Sequence, residues 1–282
     1  MRNLTEQNVS EAVLAQLGNT PDPRLKEIVT RLIEHLHAFA REVELKDEEW
    51  FAATEFLTEV GKQEEFILLS DVLGLSILVD ALSHRKAPGA TESSVLGPFY
   101  RERARLMQPP VDVAGATAGE SVLFSGRVTD PSGGPIPGAL LDVWQTAPNG
   151  RYENEDDGQP EMNLRGRFRA DAEGGYSFRT VKPVSYGIAG TGPVGRLLKS
   201  LGRHNFRPAH IHFKVSAEGY EPLTTMIFVE GDAYLDSDPV FGVKNSLVAD
   251  FERHDDAAEI DGHRLEPPYY TARYDFGLEP AG

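Results

Sequence analysis

The sequence predicts an α+β protein in which a helical N-terminal domain, residues 1–95, precedes a domain of antiparallel strands, residues 96–282. Three observations predict it. Residues 1–95 hold only 4 of the 27 glycines and 3 of the 19 prolines, so the long uninterrupted elements belong there. Apolar residues in that part recur at the spacing of a helix face, as at Leu25, Ile28, Leu32, Leu36 and Phe39. After Leu96 they form short alternating runs between turn sequences such as Asp130-Pro131-Ser132-Gly133-Gly134 and Asp171-Ala172-Glu173-Gly174-Gly175.

The elements follow in order. Asp22 and Pro23 stand as N-cap and first residue of a helix that carries the Leu25–Phe39 stripe. A second helix starts after Asp47 and runs through Trp50, Phe51 and Phe56 to Gly61. A third, residues 64–83, is apolar nearly all round and is expected to be buried, completing a small bundle. Strands are expected at 122–128, 139–146, 176–181, 210–216 and 223–229, enough for an antiparallel sandwich or barrel.

Composition narrows the function. With 28 Lys+Arg against 44 Asp+Glu the net charge is −16, which repels phosphate backbones and anionic headgroups, so nucleic acid is not expected as a partner. The chain has 0 Cys, which excludes disulfides, thiolate ligands and cysteine nucleophiles. Residues 1–10 lack an apolar core of signal-peptide type, and residues 66–82 are interrupted by Asp71 and Asp80. A cytoplasmic protein without membrane insertion is expected.

The sharpest local signal is His210-Ile211-His212-Phe213. On a strand alternate side chains share a face, so the two imidazoles point one way while Ile211 and Phe213 point into a core. Such a pair is either part of a metal site or two hydrogen-bonded histidines. His35 and His37, on a helix, diverge and read as solvated. Any further ligands must be oxygen, from Asp, Glu or Tyr. The run Glu153-Asn154-Glu155-Asp156-Asp157 offers carboxylates but reads as a solvated loop, and spacing alone does not choose.

Four stretches lead further: residues 142–152 (DVWQTAPNGRY), 163–168 (NLRGRF), 176–183 (YSFRTVKP) and 202–213 (GRHNFRPAHIHF). Together, and in this order, they resemble the intradiol ring-cleavage dioxygenases, in particular the branch that acts on catechol and hydroxyquinol. The resemblance covers nearly the whole chain. It implies a helical dimerisation domain, then a catalytic antiparallel β-sandwich joined to it at Leu96-Gly97-Pro98-Phe99-Tyr100. It also implies a non-haem Fe(III) held by Tyr152, Tyr186, His210 and His212. A phenol, with an ordinary pKa near 10, becomes a ligand at neutral pH only against a strong Lewis acid. Tyr186 is expected to be displaced by the substrate and to accept a proton, and Arg207 to stabilise negative charge on the ring.

Substrate choice is expected to lie in the wall. Leu68 and Asp71, three apart on a helix, share a face. The resemblance sets them over the ring, with Val95, Leu96, Gly97, Pro98 and Phe99 on a second side and Ile188 and Val240 on a third. A buried aspartate needs a partner, which a substrate hydroxyl or an ordinary hydrogen bond or interface could supply. The resemblance, in which hydroxyquinol enzymes carry an acidic residue at this place and catechol enzymes an apolar one, implies benzene-1,2,4-triol, cleaved with O2 to 3-hydroxy-cis,cis-muconate, the tautomer of maleylacetate. A catechol or chlorocatechol 1,2-dioxygenase is the alternative; a non-catalytic metal-bound β-sandwich module is the distant one. Two departures from the family pattern stand out: residues 187–192 are glycine-rich where relatives are proline-rich, and Met226 stands where catechol enzymes carry a glutamine. The resemblance further implies a homodimer through the N-terminal helices, with a tunnel able to hold a phospholipid-like molecule.

Overall fold

The structure, a computed structural model, describes residues 2–188 and 190–282; Ala189, inside the glycine-rich segment, lies outside the described residues. Contacts divide the chain into two compact units at Glu59/Val60. The reason is that residues 60–95 bond to later segments of the chain: Glu65 accepts from the Val194 amide of a helix, Thr91 N–H donates to the Gly277 carbonyl and Ser94 N–H to that of Thr224.

The smaller unit contains α1 (Val9–Ala15) and α2 (Pro23–Glu42) and most of α3 (Asp47–Lys62). Helix α2 starts as its sequence dictates, the Asp22 carboxylate accepting from the Arg24 and Leu25 amides at 2.8 and 3.2 Å, with Pro23 at its first position. His37 is not simply solvated: it is half-buried, and its Nδ1 lies 2.9 Å from the Ser10 hydroxyl of α1.

In the larger unit the expected third helix is two, α4 (Phe66–Val72) and α5 (Leu75–Ser83), bent by 81°. Gly74, at φ +74°, supplies the left-handed residue that the turn between them requires. The bend leaves one face for packing, so the expectation of a buried apolar helix is corrected: Leu69 and Val72 are buried, while Phe66, Ile67, Leu73, Leu75, Leu78, Val79 and Leu82 are exposed. Among the described residues no single helix is long and apolar enough to cross a membrane; α4 and α5 reach that length and composition only as a bent pair.

The strands are β1 (Val111–Asp112), β2 (Ser121–Thr129), β3 (Leu140–Trp144), β4 (Arg165–Arg169), β5 (Gly175–Val181), β6 (Tyr186–Gly187), β7 (Phe206–Arg207), β8 (His210–Ser216) and β9 (Leu223–Val229), followed by β10 (Val248–Ala249), β11 (Phe251–His254), β12 (Ala258–Ile260), β13 (His263–Leu265), β14 (Tyr269–Arg273) and β15 (Phe276–Gly277). One sheet runs β1-β5-β2-β14-β11, with β15 also on β2, and the other β10-β9-β8-β3-β4. The pairing is mixed rather than wholly antiparallel: β1/β5, β10/β9, β14/β2 and β15/β2 are parallel. Phe213 of β8 joins the sheets, with ring centroids 4.8, 5.3 and 6.1 Å from Phe276, Phe124 and Phe178. Helix α6 (Pro193–Ser200) completes the unit.

Close packing leaves room for no side chain at Gly126 of β2, where a Cβ would collide with the Tyr274 carbonyl oxygen. Gly126→Ala is therefore expected to cost about 3 kcal/mol, the upper end of overpacking, because the obstacle is backbone. A fall in the thermal midpoint of several degrees checks it; an unchanged midpoint would contradict this packing.

Candidate metal centre and substrate pocket

Strand alternation does what the sequence predicts at β8. Ile211 and Phe213 enter the core, and His210 and His212 face the other side, both 2% exposed. His212 is paired with Trp144 of β3 and stacks on its indole at 4.7 Å and 9°. From Trp144 the chain turns at residues 147–151, where the Ala147 amide bonds to the Arg151 carbonyl, and delivers Tyr152. Tyr186 arrives separately, on β6, opposite Arg207 of β7.

These four side chains meet. His210 Nε2 lies 3.2 Å from His212 Nε2, which lies 3.0 Å from the Tyr152 hydroxyl, itself 3.4 Å from that of Tyr186. The Pro208 carbonyl, 2.7 Å from His210 Nδ1, can only accept, so that nitrogen carries the proton and the Nε2 lone pair faces the centre. His212 Nδ1 is buried with no partner among the described residues.

Electrostatics complete the picture. Burial, reinforced by Arg207, pushes the His210 pKa down to about 3, and burial with His210 beside it pushes His212 well down too. Burial raises both phenols, Tyr152 further through Tyr186. At neutral pH the centre thus presents two neutral imidazoles and two phenols that only a concentrated positive charge could ionise. Among the described residues no group of three or more His, Cys, Asp or Glu side chains meets, so an ion here would need the phenol oxygens. The donor set, two nitrogens and two hard oxygens, fits ferric iron.

A cavity of about 450 Å³ opens onto the centre. Tyr186, His212 and Arg207 line it, together with Leu68, Asp71, Val95, Gly97, Pro98, Phe99, Ile188 and Val240; Tyr152 and His210 are not among its lining residues. Leu96 is corrected: it is 42% exposed and absent from the wall, because the extended segment turns at Gly97, whose φ is +74°. Asn149, Gly150, Arg151 and Glu155 also line the cavity and were not anticipated.

Arg207 is 3% exposed, 3.4 Å from His210 Nε2, and held by Asp238 through Nε and Nη2, each at 3.1 Å. Burial alone would lower the Arg207 pKa, but Asp238 reverses this; burial likewise works against the Asp238 carboxylate, and the guanidinium more than compensates. Nothing local marks Asp238, which is 31 residues from its partner. Met226 stands opposite His212 in the β8/β9 register, yet its sulfur takes the Arg207 Nη2 at 3.4 Å and leaves His212 unsupported. The supposedly solvated Glu153 is corrected as well: it is buried, bonded by Arg165 at 2.7 Å and Arg101 at 2.8 Å. Asp71 is 4% exposed, and burial raises its pKa against the opposing bond to Ser76.

Comparison with known proteins now has a geometry to meet. Residues 95–280 match the family described as Dioxygenase, and residues 22–91 the one described as Catechol dioxygenase N terminus. Both parts of a dioxygenase are therefore present. The chain is 48% identical over 258 residues to a hydroxyquinol 1,2-dioxygenase of Rhizobium sp., covering 89% of this chain and 88% of that one. It superposes on the crystal structure of a hydroxyquinol 1,2-dioxygenase from Pseudomonas putida with a TM-score of 0.92 at 44% identity, covering 98% and 99% of the two chains. On catechol 1,2-dioxygenase from Pseudomonas arvilla the TM-score is 0.87 at 32% identity, covering 97% and 92%. The chain belongs to the intradiol ring-cleavage dioxygenases, oxidoreductases of a family that uses non-haem iron.

Proposed function

We propose that this protein cleaves hydroxyquinol between its adjacent hydroxylated carbons, incorporating both atoms of O2 to give 3-hydroxy-cis,cis-muconate, the tautomer of maleylacetate. The observation that carries the choice of substrate is Asp71: a buried carboxyl in the wall of the cavity that Leu68, Val95, Phe99 and Val240 also line, shared with Tyr186, His212 and Arg207. Relatives named for hydroxyquinol support it.

Tyr152, Tyr186, His210 and His212 would hold Fe(III), which when bound supplies a Lewis acid for the deprotonated diol. The chain's own residues do the rest. Tyr186, which lines the cavity, would as the phenolate of the metal-loaded protein take a diol proton at its oxygen and become the neutral phenol. Arg207, fixed by Asp238, sets a permanent positive charge beside the ring. Leu68, Val95, Pro98, Phe99, Ile188 and Val240 exclude water, and Asp71 bonds the third hydroxyl.

Asp71→Leu is expected to lower kcat/KM for benzene-1,2,4-triol by roughly tenfold to a hundredfold while sparing catechol, the cost of one unpaired hydroxyl in an apolar wall. Oxygen uptake with the two substrates side by side, on wild type and variant, measures it. A wild-type preference for catechol, or equal losses on both substrates, would reject the triol assignment and favour a catechol or chlorocatechol enzyme.

We infer further that the working form is a cytoplasmic homodimer paired through its N-terminal helices. Supporting this, Leu25, Ile28, Leu32, Leu36 and Phe39 of α2 each stand about half exposed in the single chain. The same apolar surface would suit a phospholipid-like molecule. Sedimentation mass and organic extraction of the purified protein test the two.

A further inference from the structure

Tyr152 is embedded in a charge arrangement that the reaction as described does not use. Arg165 of β4 sits beside Trp144 in the β3/β4 register, with its side chain 1% exposed. Its guanidinium carbon is 5.7 Å from the centroid of the Tyr152 ring, within the range of a cation–π contact. Its Nε is bonded to Glu153, the residue that follows Tyr152, but its two terminal nitrogens are buried without an acceptor among the described residues. Glu153 is itself shared with Arg101, whose side chain is 34% exposed. Arg101 is in turn bonded to Glu161 at 3.3 Å, so the charges match in number, and what stays unused beside the ring is the bonding capacity of the two Arg165 terminal nitrogens. Arg207, near Tyr186, has no such unused nitrogens: its Nη1 reaches His210 and its Nη2 bonds to Asp238.

We propose that Arg165 is a positioning residue for Tyr152, whose buried and incompletely paired guanidinium stabilises this phenol as the anionic ligand that stays in place. The inference rests on the metal ligation proposed above. In a dry environment a full charge at this distance outweighs a surface ion pair of the same separation, and leaving part of its bonding capacity unused keeps that charge directed at the ring. Glu153 sets how much of it is felt, and Arg101 tempers Glu153 from the solvent side.

The test uses the iron-loaded protein and reads the visible phenolate-to-iron absorption band and the Fe(III)/Fe(II) midpoint potential, with iron per chain measured alongside. Arg165→Gln removes the cation, so the band is expected to move to longer wavelength and the potential to fall. Glu153→Gln removes the opposing anion, and both readings are expected to move the other way. Arg165→Lys, which retains charge without the fork, should stay near wild type. A merely structural role cannot produce shifts of opposite sign from the two halves of one ion pair. Should the buried variants fail to fold, Arg101→Gln, made at a partly exposed site, is expected to move both readings in the direction of Arg165→Gln by a smaller amount. Unshifted readings, or shifts of the same sign in Arg165→Gln and Glu153→Gln, would overturn the proposal while the metal assignment stands. A wild-type iron protein without the band would overturn both.

Discussion

His212→Ala is expected to remove bound iron and ring cleavage together, with turnover falling by at least roughly a thousandfold, because ligands acting on one ion fail as a unit. His212 is the choice because its Nε2 is 3.2 Å from His210 and 3.0 Å from Tyr152, the middle of the chain of contacts that joins the four donors. Removing it separates the histidine pair from the phenols. Its Nδ1 makes no bond among the described residues and its Nε2 contacts are with His210 and Tyr152, so the substitution loses contacts within the centre alone, and the folded protein should survive for measurement. Metal analysis and oxygen uptake are the readings, with circular dichroism as the check on folding. Full iron content with near-normal turnover would show that the ion, if present, is bound elsewhere.

Asp238→Ala is expected to be the most destabilising of the single substitutions considered. It strands the Arg207 guanidinium, 3% exposed, without a counter-charge, and breaking a buried pair from one side costs about 3–5 kcal/mol. Because Arg207 also touches His210 at 3.4 Å, turnover should fall in the fraction that remains folded. Denaturant unfolding measures the first effect and oxygen uptake the second. The pH dependence follows from the sign of the shift. The guanidinium holds the folded-state Asp238 pKa below its ordinary value near 4, so this contribution is complete above that value and is lost as pH falls through the lower folded one. Wild type should therefore lose stability towards acid more steeply than Asp238→Ala. Equal acid profiles would mean that the pair carries no such linkage.

Legibility in the sequence followed the range of the interaction. The cap at Asp22-Pro23, the alternation at β8 and the strand runs are consequences of one residue's neighbours along the chain, and they were readable without a fold. The break at Gly74 was less so: Leu73-Gly74-Leu75 sits inside a largely apolar stretch, and whether a glycine ends a helix depends on what the following turn can pack against. Arg165 carried no signal of burial, since alternation along β4 puts it on one face with Arg167 and Arg169, opposite Phe168. Its partner Glu153 was hidden in an acidic run that looked solvated. Short strands such as β1, β10 and β15 are made by their partners, and two residues hold no period to detect.

What the chain alone determined is the chemistry at hand: two imidazoles on one face of a strand, a phenol at the end of one recognisable stretch and another three residues beyond a second, no thiol anywhere, and an aspartate within an apolar helix. Only the folded molecule decided which of these share a space: that Asp238 anchors Arg207, that Glu153 is buried against Arg165 rather than in water, and that Leu96 leaves the pocket wall while Asn149 and Arg151 join it. The reason is physical. Side-chain direction along a strand or helix is set by backbone geometry over a few residues, whereas the burial and pairing of a charge depend on which distant segment closes over it.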